Sequence, residues 1–214
     1  AHWHEPDHGI WEMRGEPRHY VHSKVMCWSA LNRGIALADE LGREAPVDRW
    51  REARHQVHAA VEQHGYDAKR GIFVQSFESR CLDAALLRIP SVGFIDYGDE
   101  RMLRTTDAIW SGLERDGLLQ RYDSPDNLPG QEGAFLACSF WLAECLAYQR
   151  RGDAARSVFD RAAGTANDLG LFSEEYDPQG RRLWANFPQG LTHLSYISAA
   201  LALARAGIQA GEKV

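Results

Sequence analysis

The chain has 214 residues, 44% of them apolar and 25% charged, and a formal net charge of −6. That is enough for one domain, 1–214, with a core of its own. Basic residues are scattered, which excludes the clustered face a nucleic acid needs, and no apolar run approaches the roughly twenty residues that span a bilayer.

The opening stretch DHGIWEMRGEPRHYVHSK, Asp7 to Lys24, gathers carboxylates, an indole, basic side chains and three histidines at the mouth of a helix. A solvated loop needs neither Trp11 nor Tyr20, and a core rejects Glu12, Arg14 and Glu16, so the stretch suits a polar ligand with apolar faces, such as a sugar. No basic-then-apolar leader is read ahead of it. Helical periodicity follows: Trp28, Leu31, Ile35 and Ala38 up to Gly42, then Val47, Trp50, Val57 and Val61. An apolar run from Leu82 to Ile89, stopped by Pro90, reads as a further short helix. Leu103, Thr106, Trp110 and Leu113 mark an amphipathic one. Ala134 to Tyr148 is apolar almost all round, Ala154 to Ala166 is amphipathic, and Leu191 to Ala206 is apolar on nearly every face. Strand signals are nearly absent, so the class is all-α.

About seven helices are predicted, and their order is informative. Those starting near Ser23, Leu82, Gly133 and Leu191 are apolar throughout, hence inner; those near Val47, Asp99 and Asp153 carry a polar face, hence outer. Alternation of this kind predicts a toroid of α-hairpins or a helical solenoid. Links leading to outer helices are short, as in GREAP and RRGD. Links entering inner helices are long and rich in aromatics and charge: the opening stretch, Gly65 to Cys81, Arg121 to Glu132, and Ser173 to Gly190. In a toroid all four would share one end, where a site is expected.

The chemistry-bearing candidates sit in those links. Glu12 follows Trp11, and an indole against a carboxyl group would desolvate it, as a general acid requires. The pair Glu174-Glu175 in SEEYD offers a second carboxylate, and glycoside hydrolysis uses two of them across the scissile bond. Arg121 beside Tyr122 precedes DSPDNLPG and Glu132; a guanidinium fork suits sugar hydroxyls, although an ion pair with Asp123 or Asp126 serves as well. Trp11, Arg14, Arg18, His19 and Lys24 are further ligand contacts, and Trp184 with Phe187 a stacking face, while Trp28 and Trp141 belong to the core. Each glutamate alone also reads as a helix cap or surface charge. His2 and His4 lack carboxylates at ligand spacing, so no metal is expected, and no cofactor motif is present. No GxSxG elbow occurs, and Ser23-Lys24 diverge at a helix start. Cys27, Cys81, Cys138 and Cys145 form no CxxC pair, which favours a reducing, cytoplasmic location.

Three segments resemble motifs of glycoside hydrolase family fifteen, the glucoamylase, glucodextranase and bacterial trehalase family. GIWEMRGEPRHYVHSKVMCW is similar to its acid motif, LQRYDSPDNLPGQEGAFLACSFWLAE to its substrate-binding motif, and GLFSEEYDPQGRRLWANFPQGLTHLSYI to its base motif. DAALLRIPSVGF, Asp83 to Phe94, is similar to the helix between the first two. The resemblance implies a six-hairpin (α/α) barrel, of which this chain is the later part. It implies Glu12 as general acid, Glu174 as general base of an inverting reaction, and Arg121 as the arginine holding the sugar at the cleaved end. The expected substrate is an α-glucoside carbohydrate. Glucoamylase-like release of glucose from a non-reducing end is the first reading, trehalase the second, and a non-catalytic helical-repeat scaffold the third. A part-barrel would leave apolar helix faces open, predicting self-association or a missing N-terminal portion of the same enzyme to cover them.

Overall fold

The computed structural model describes residues 2–124 and 132–208. Helix α1 (Val21–Leu41) ends where Gly42, at φ 57°, turns the chain into a conformation that costs a glycine nothing sterically. It packs on α2 (Val47–His64), whose buried residues are Val57 and Val61. Strands β1 (Tyr66–Asp67) and β2 (Ile72–Phe73) then form a hairpin, its turn held by the Asp67 carboxylate accepting from the amides of Lys69 and Arg70.

The run from Leu82 to Ile89 is not the α-helix expected from its apolarity. It forms two 3₁₀ segments, Ala84–Arg88 and Pro90–Val92. Pro90 has no amide hydrogen to continue a helix, and Gly93 at φ 81° ends the second segment. The first segment packs on α3 (Glu100–Leu113), which starts at the Asp99 cap and buries Met102, Thr105, Thr106, Ile109 and Leu113 along one face. A second hairpin, β3 (Glu114–Arg115) and β4 (Leu118–Leu119), leads toward β5 (Ala134–Phe135). Helix α4 (Leu136–Tyr148) is buried from Leu136 through Ala147 and packs on α3, α5 (Gly152–Ala163), the 84–88 segment and α6 (Gly190–Arg205). Between α5 and α6, β6 (Glu175–Asp177) and β7 (Arg182–Trp184) join β5 in a three-stranded antiparallel sheet.

The inner positions are therefore α1, the 84–92 turn, α4 and α6, with α2, α3 and α5 outside. Six α-helices are present among the described residues, against about seven expected, the difference being the 3₁₀ pair. Inner and outer elements alternate as the periodicity predicts. The ring is open: α1 and α6 have no substantial packing against one another. Helix α6 corrects the expectation of burial on every face. Leu191, Leu194, Ile197 and Leu201, at three- and four-residue spacing, are 40%, 66%, 51% and 50% exposed.

Backbone pairing joins the four long links at one end of this ring. Tyr20, just before α1, pairs with Ser76; Asp83, just before the 3₁₀ turn, pairs with Tyr122; Phe135, just before α4, pairs with Glu175. Three of the four inner elements thus begin with an extended residue bound to the next link. None of the described helices is long and apolar enough to cross a membrane.

Candidate active site

Asp7 anchors the opening loop. Its Oδ1 accepts from the Gly9 amide at 2.7 Å and the Ser23 hydroxyl at 2.6 Å, and its backbone pairs with Arg18. Gly9, at φ 69°, is needed here because a Cβ would meet the Tyr20 ring at 3.0 Å. Glu12 sits at the turn of this loop with φ 51°, a left-handed conformation uncommon for a non-glycine residue and one that gathers at functional sites.

Trp11 places that turn against the other links. Its ring lies 5.1 Å from Phe135, 6.0 Å from Trp141 and 6.4 Å from Tyr122. Its indole N–H donates to Asp83 at 2.9 Å. The carboxylate bound by the indole is therefore Asp83, while Glu12 is exposed, so the desolvation of Glu12 expected from its neighbour is not provided by Trp11.

Arg121 lies over Trp11, Tyr122 and Phe135, with its guanidinium carbon 5.7, 5.2 and 5.6 Å from their ring centres, and forms an ion pair with Glu132. Burial works against its charge, but Tyr122, Glu132 and Glu175 outweigh that and hold its pKa above the ordinary value. Its Nε is buried and finds no hydrogen-bond partner among the described residues. Pro125 to Gln131, most of the DSPDNLPG segment and the residue after it, lie outside the described residues.

On the fourth link, Glu174 and Glu175 separate into different environments. Glu174 accepts from the Asn186 side chain at 2.8 Å and from Gln189 at 3.2 Å, so two amides orient its carboxylate. Glu175 accepts from the Gly133 amide at 3.1 Å. Burial pushes its pKa up and the carboxylates of Glu132 and Glu174 add to this, while Arg121 and the Gly133 amide pull it back. Gly133 permits this approach, since a Cβ there would lie 2.9 Å from the Tyr176 carbonyl oxygen. In the sheet, Glu175 pairs with Phe135 on one side and Trp184 on the other, and the exposed Trp184 ring, with the Arg182 guanidinium 5.2 Å from its centre, lines a cavity with Tyr122 and Glu132.

Among the predicted site residues, Trp11, Arg121, Tyr122, Glu132 and Trp184 thus form one neighbourhood with the Glu12 turn and the Glu174-Glu175 strand. Arg18 and His19 lie to one side, lining a cavity of about 650 Å³ with Trp3, His64 and Phe77, where His19 stacks on Phe77 at 5.4 Å. A second cavity of about 590 Å³ is lined by Tyr122, Glu132, Trp184 and Gln179. Neither of these cavities is lined by Glu12 or Glu174. Arg14 is exposed on the opening loop. Lys24 is turned inward: it is 2% exposed, and its ammonium donates to the Glu5 carbonyl at 2.6 Å and lies 3.4 Å from Asp7. The sequence names Glu175 only as one of a pair whose base role falls to Glu174, and it does not single out Asp83. Asp83 is the lone carboxylate opening an apolar run, which is a cap signal, but nothing local names Trp11 as its partner. No group of three or more histidine, cysteine or acidic residues is placed to hold a metal ion among the described residues, and the four cysteines are unpaired.

Alternating inner and outer helices with their long links at one end define the class, a portion of an (α/α) barrel. The chain belongs to the glycosyl hydrolases family 15, whose family model matches residues 1–201. It is 41% identical over 208 residues to a trehalase of Mycobacterium tuberculosis, covering 96% of this chain and 30% of the relative. To a trehalase of Thermoplasma volcanium it is 41% identical over 213 residues, covering 99% and 34%. The chain spans about a third of the length of these relatives. Among solved structures, a wild-type glycosidase superposes with a TM-score of 0.80 at 19% identity, covering 94% of this chain and 56% of that one. The glucoamylase of Hormoconis resinae superposes at 0.75 with 13% identity, covering 97% and 46%. These likenesses establish the fold.

Proposed function

We propose that residues 1–214 form a single domain supplying the later part of the barrel, and the acid and base, of an inverting trehalase. The observation that carries this reading is the 41% identity to trehalases over nearly the whole chain, which includes Trp11-Glu12 and the SEEYD segment. The glucoamylase-like reading placed first on sequence gives way to the second, because the glucoamylases are alike at the level of fold, at 11–13% identity. A helical-repeat scaffold has no use for a carboxylate oriented by two amides.

In this mechanism Glu12 protonates the glycosidic oxygen while Glu174, steadied by Asn186 and Gln189, takes a proton from the attacking water. Water attacks the anomeric carbon as the bond to the leaving glucose breaks. Arg121, over its three rings, would grip hydroxyls of the cleaved glucose through its guanidinium, and Trp184 would offer the sugar a stacking face. The ligand itself would desolvate Glu12, which the protein leaves exposed.

The test is proton NMR of fresh product from trehalose, maltose and longer α-glucans, using the complete enzyme. An inverting trehalase releases β-glucose from the attacked ring and α-glucose as leaving group in equal amounts. Only α-glucose would refute inversion, and faster turnover of maltose or α-glucans would return the glucoamylase-like reading. Glu12→Gln should lose trehalose cleavage by about 100-fold or more but keep activity on α-glucosyl fluoride, whose leaving group needs little protonation. Glu174→Gln should lose both.

A further inference from the structure

Asp83 is 3% exposed, and no cation lies within ion-pair distance of it among the described residues. Its three hydrogen-bond donors are neutral: Oδ1 accepts from the Trp11 indole at 2.9 Å and the Ala85 amide at 2.8 Å, and Oδ2 accepts from Gln75 at 3.2 Å. Burying an unpaired carboxylate is costly. Capping a 3₁₀ turn does not require it, because the shorter serine or threonine caps as well without a charge. The bond that a short cap side chain would not reach is the one to Trp11, 72 positions away.

That bond fixes the acid loop in two ways. Three rings and the Arg121 guanidinium lie 5.1–6.4 Å from the indole, and the N–H to Asp83 fixes how it is turned among them. Glu12 is the next residue, so its Cα lies one peptide length, about 3.8 Å, from a pinned Cα. The turn beyond it is closed by the Met13 amide to the His8 carbonyl at 2.9 Å and by His8 Nδ1 to the Met13 carbonyl at 2.8 Å. Asp83 also pairs through its backbone with Tyr122, so one residue sets Trp11 against the Arg121 platform.

We propose that Asp83 is a positioning residue for acid catalysis: through the Trp11 indole it holds Glu12 at the glycosidic oxygen. The inference rests on Glu12 being the acid, so its test carries Glu12→Gln as a control. In the complete enzyme, trehalose and α-glucosyl fluoride are compared for Asp83→Ala, Asp83→Asn and Trp11→Phe. A misplacement of about 1 Å costs on the order of 100-fold. Asp83→Ala should therefore lower kcat for trehalose by about 100-fold and for the fluoride by less than about 5-fold. Asp83→Asn keeps a carbonyl acceptor for the indole and should stay within about 5-fold of wild type on trehalose. Trp11→Phe, which also removes ring area beside Arg121, should lose at least as much on trehalose as Asp83→Ala, and adding Asp83→Ala to it should cost little more, because both remove one bond. Equal losses on the two substrates, or additive losses in the double variant, would reduce Asp83 to a cap and overturn the proposal. If Asp83→Ala does not fold, Asp83→Ser, which keeps a cap but does not reach the indole, decides in the same way by its substrate ratio. Glu12→Gln without leaving-group selectivity would instead refute the acid assignment, and the proposal with it.

Discussion

Replacing Lys24 with methionine separates two roles that its place in a donor-rich motif confuses. Methionine keeps most of the apolar stem and deletes the ammonium. In the folded protein that ammonium donates to the Glu5 carbonyl at 2.6 Å, a bond from a charged donor worth about 1.5–3 kcal/mol. Its contact with Asp7 is longer, 3.4 Å, and Asp7 is 35% exposed, so solvent screening limits that part to about 1 kcal/mol at most. The total loss is about 1.5–4 kcal/mol. At about 2–4 °C per kcal/mol for a domain of this size, Tm should fall by roughly 3–16 °C, read by thermal circular dichroism. Limited proteolysis should show residues 2–19 cut first, since this bond ties the loop to α1. A Tm unchanged within about a degree, together with a raised KM for trehalose, would refute the structural role and return Lys24 to the sugar.

Arg121→Lys keeps the charge but loses the fork and the flat face stacked on three rings, so KM for trehalose should rise by about tenfold or more; an unchanged KM would remove Arg121 from the binding site. Burial, then repulsion from Arg88, lowers the His22 pKa from 6.5 to about 4, so the folded state binds fewer protons than the unfolded chain across that window. Its contribution is present above pH 6.5 and is lost as pH falls toward 4, by about 3 kcal/mol, and His22→Asn should lose that much less than wild type in urea titrations over this range. Asp83 has the opposite sign: burial raises its pKa from 3.8 to about 6, and its contribution fades as pH rises between those values. A crystal structure with a bound inhibitor should place the Glu12 and Glu174 carboxyl groups about 6.5–9.5 Å apart, and a spacing near 5 Å would indicate a retaining enzyme. Expressed alone, residues 1–214 should self-associate through the Leu191, Leu194, Ile197 and Leu201 face of α6, and Leu194→Gln with Leu201→Gln should reverse this in sedimentation velocity; association unaffected by the pair would place the contact elsewhere.

The inner and outer helices were legible because periodicity reports what a face is made of. Helices α3 and α5 show one apolar stripe, and α4 is buried as its composition predicts. Helix α6 marks where that reasoning stops, since apolarity states what a face would bury and not whether a partner is present. The 84–92 turn was misread because a short apolar run looks alike as 3₁₀ or α, and only Pro90 and Gly93 hinted at the break. Strands of two or three residues carry no periodicity, so the links read as loops. The motifs named most of the site's neighbourhood. They did not separate Lys24, which faces inward, from donors that face out, because both are basic residues within one short segment.

The pairing between links also explains why the chemistry gathers where it does. An inner helix buried on most of its surface spares little room for charge, Glu144 of α4 being held there by Arg88 at 3.0 Å, so the other carboxylates and guanidinium groups of the site gather before its first turn. There the backbone is still extended and can bond to the next link, as Tyr20 does with Ser76, Asp83 with Tyr122 and Phe135 with Glu175. Each pair brings a residue from one motif beside a residue far along the chain and fixes its register by backbone hydrogen bonds. Side chains then need only short reaches: Trp11 to Asp83, Arg121 to Glu132, Glu175 to Gly133. A substitution that breaks one pairing should therefore disturb two motifs at once, and its effects should be coupled to those of substitutions in the partner link rather than add to them.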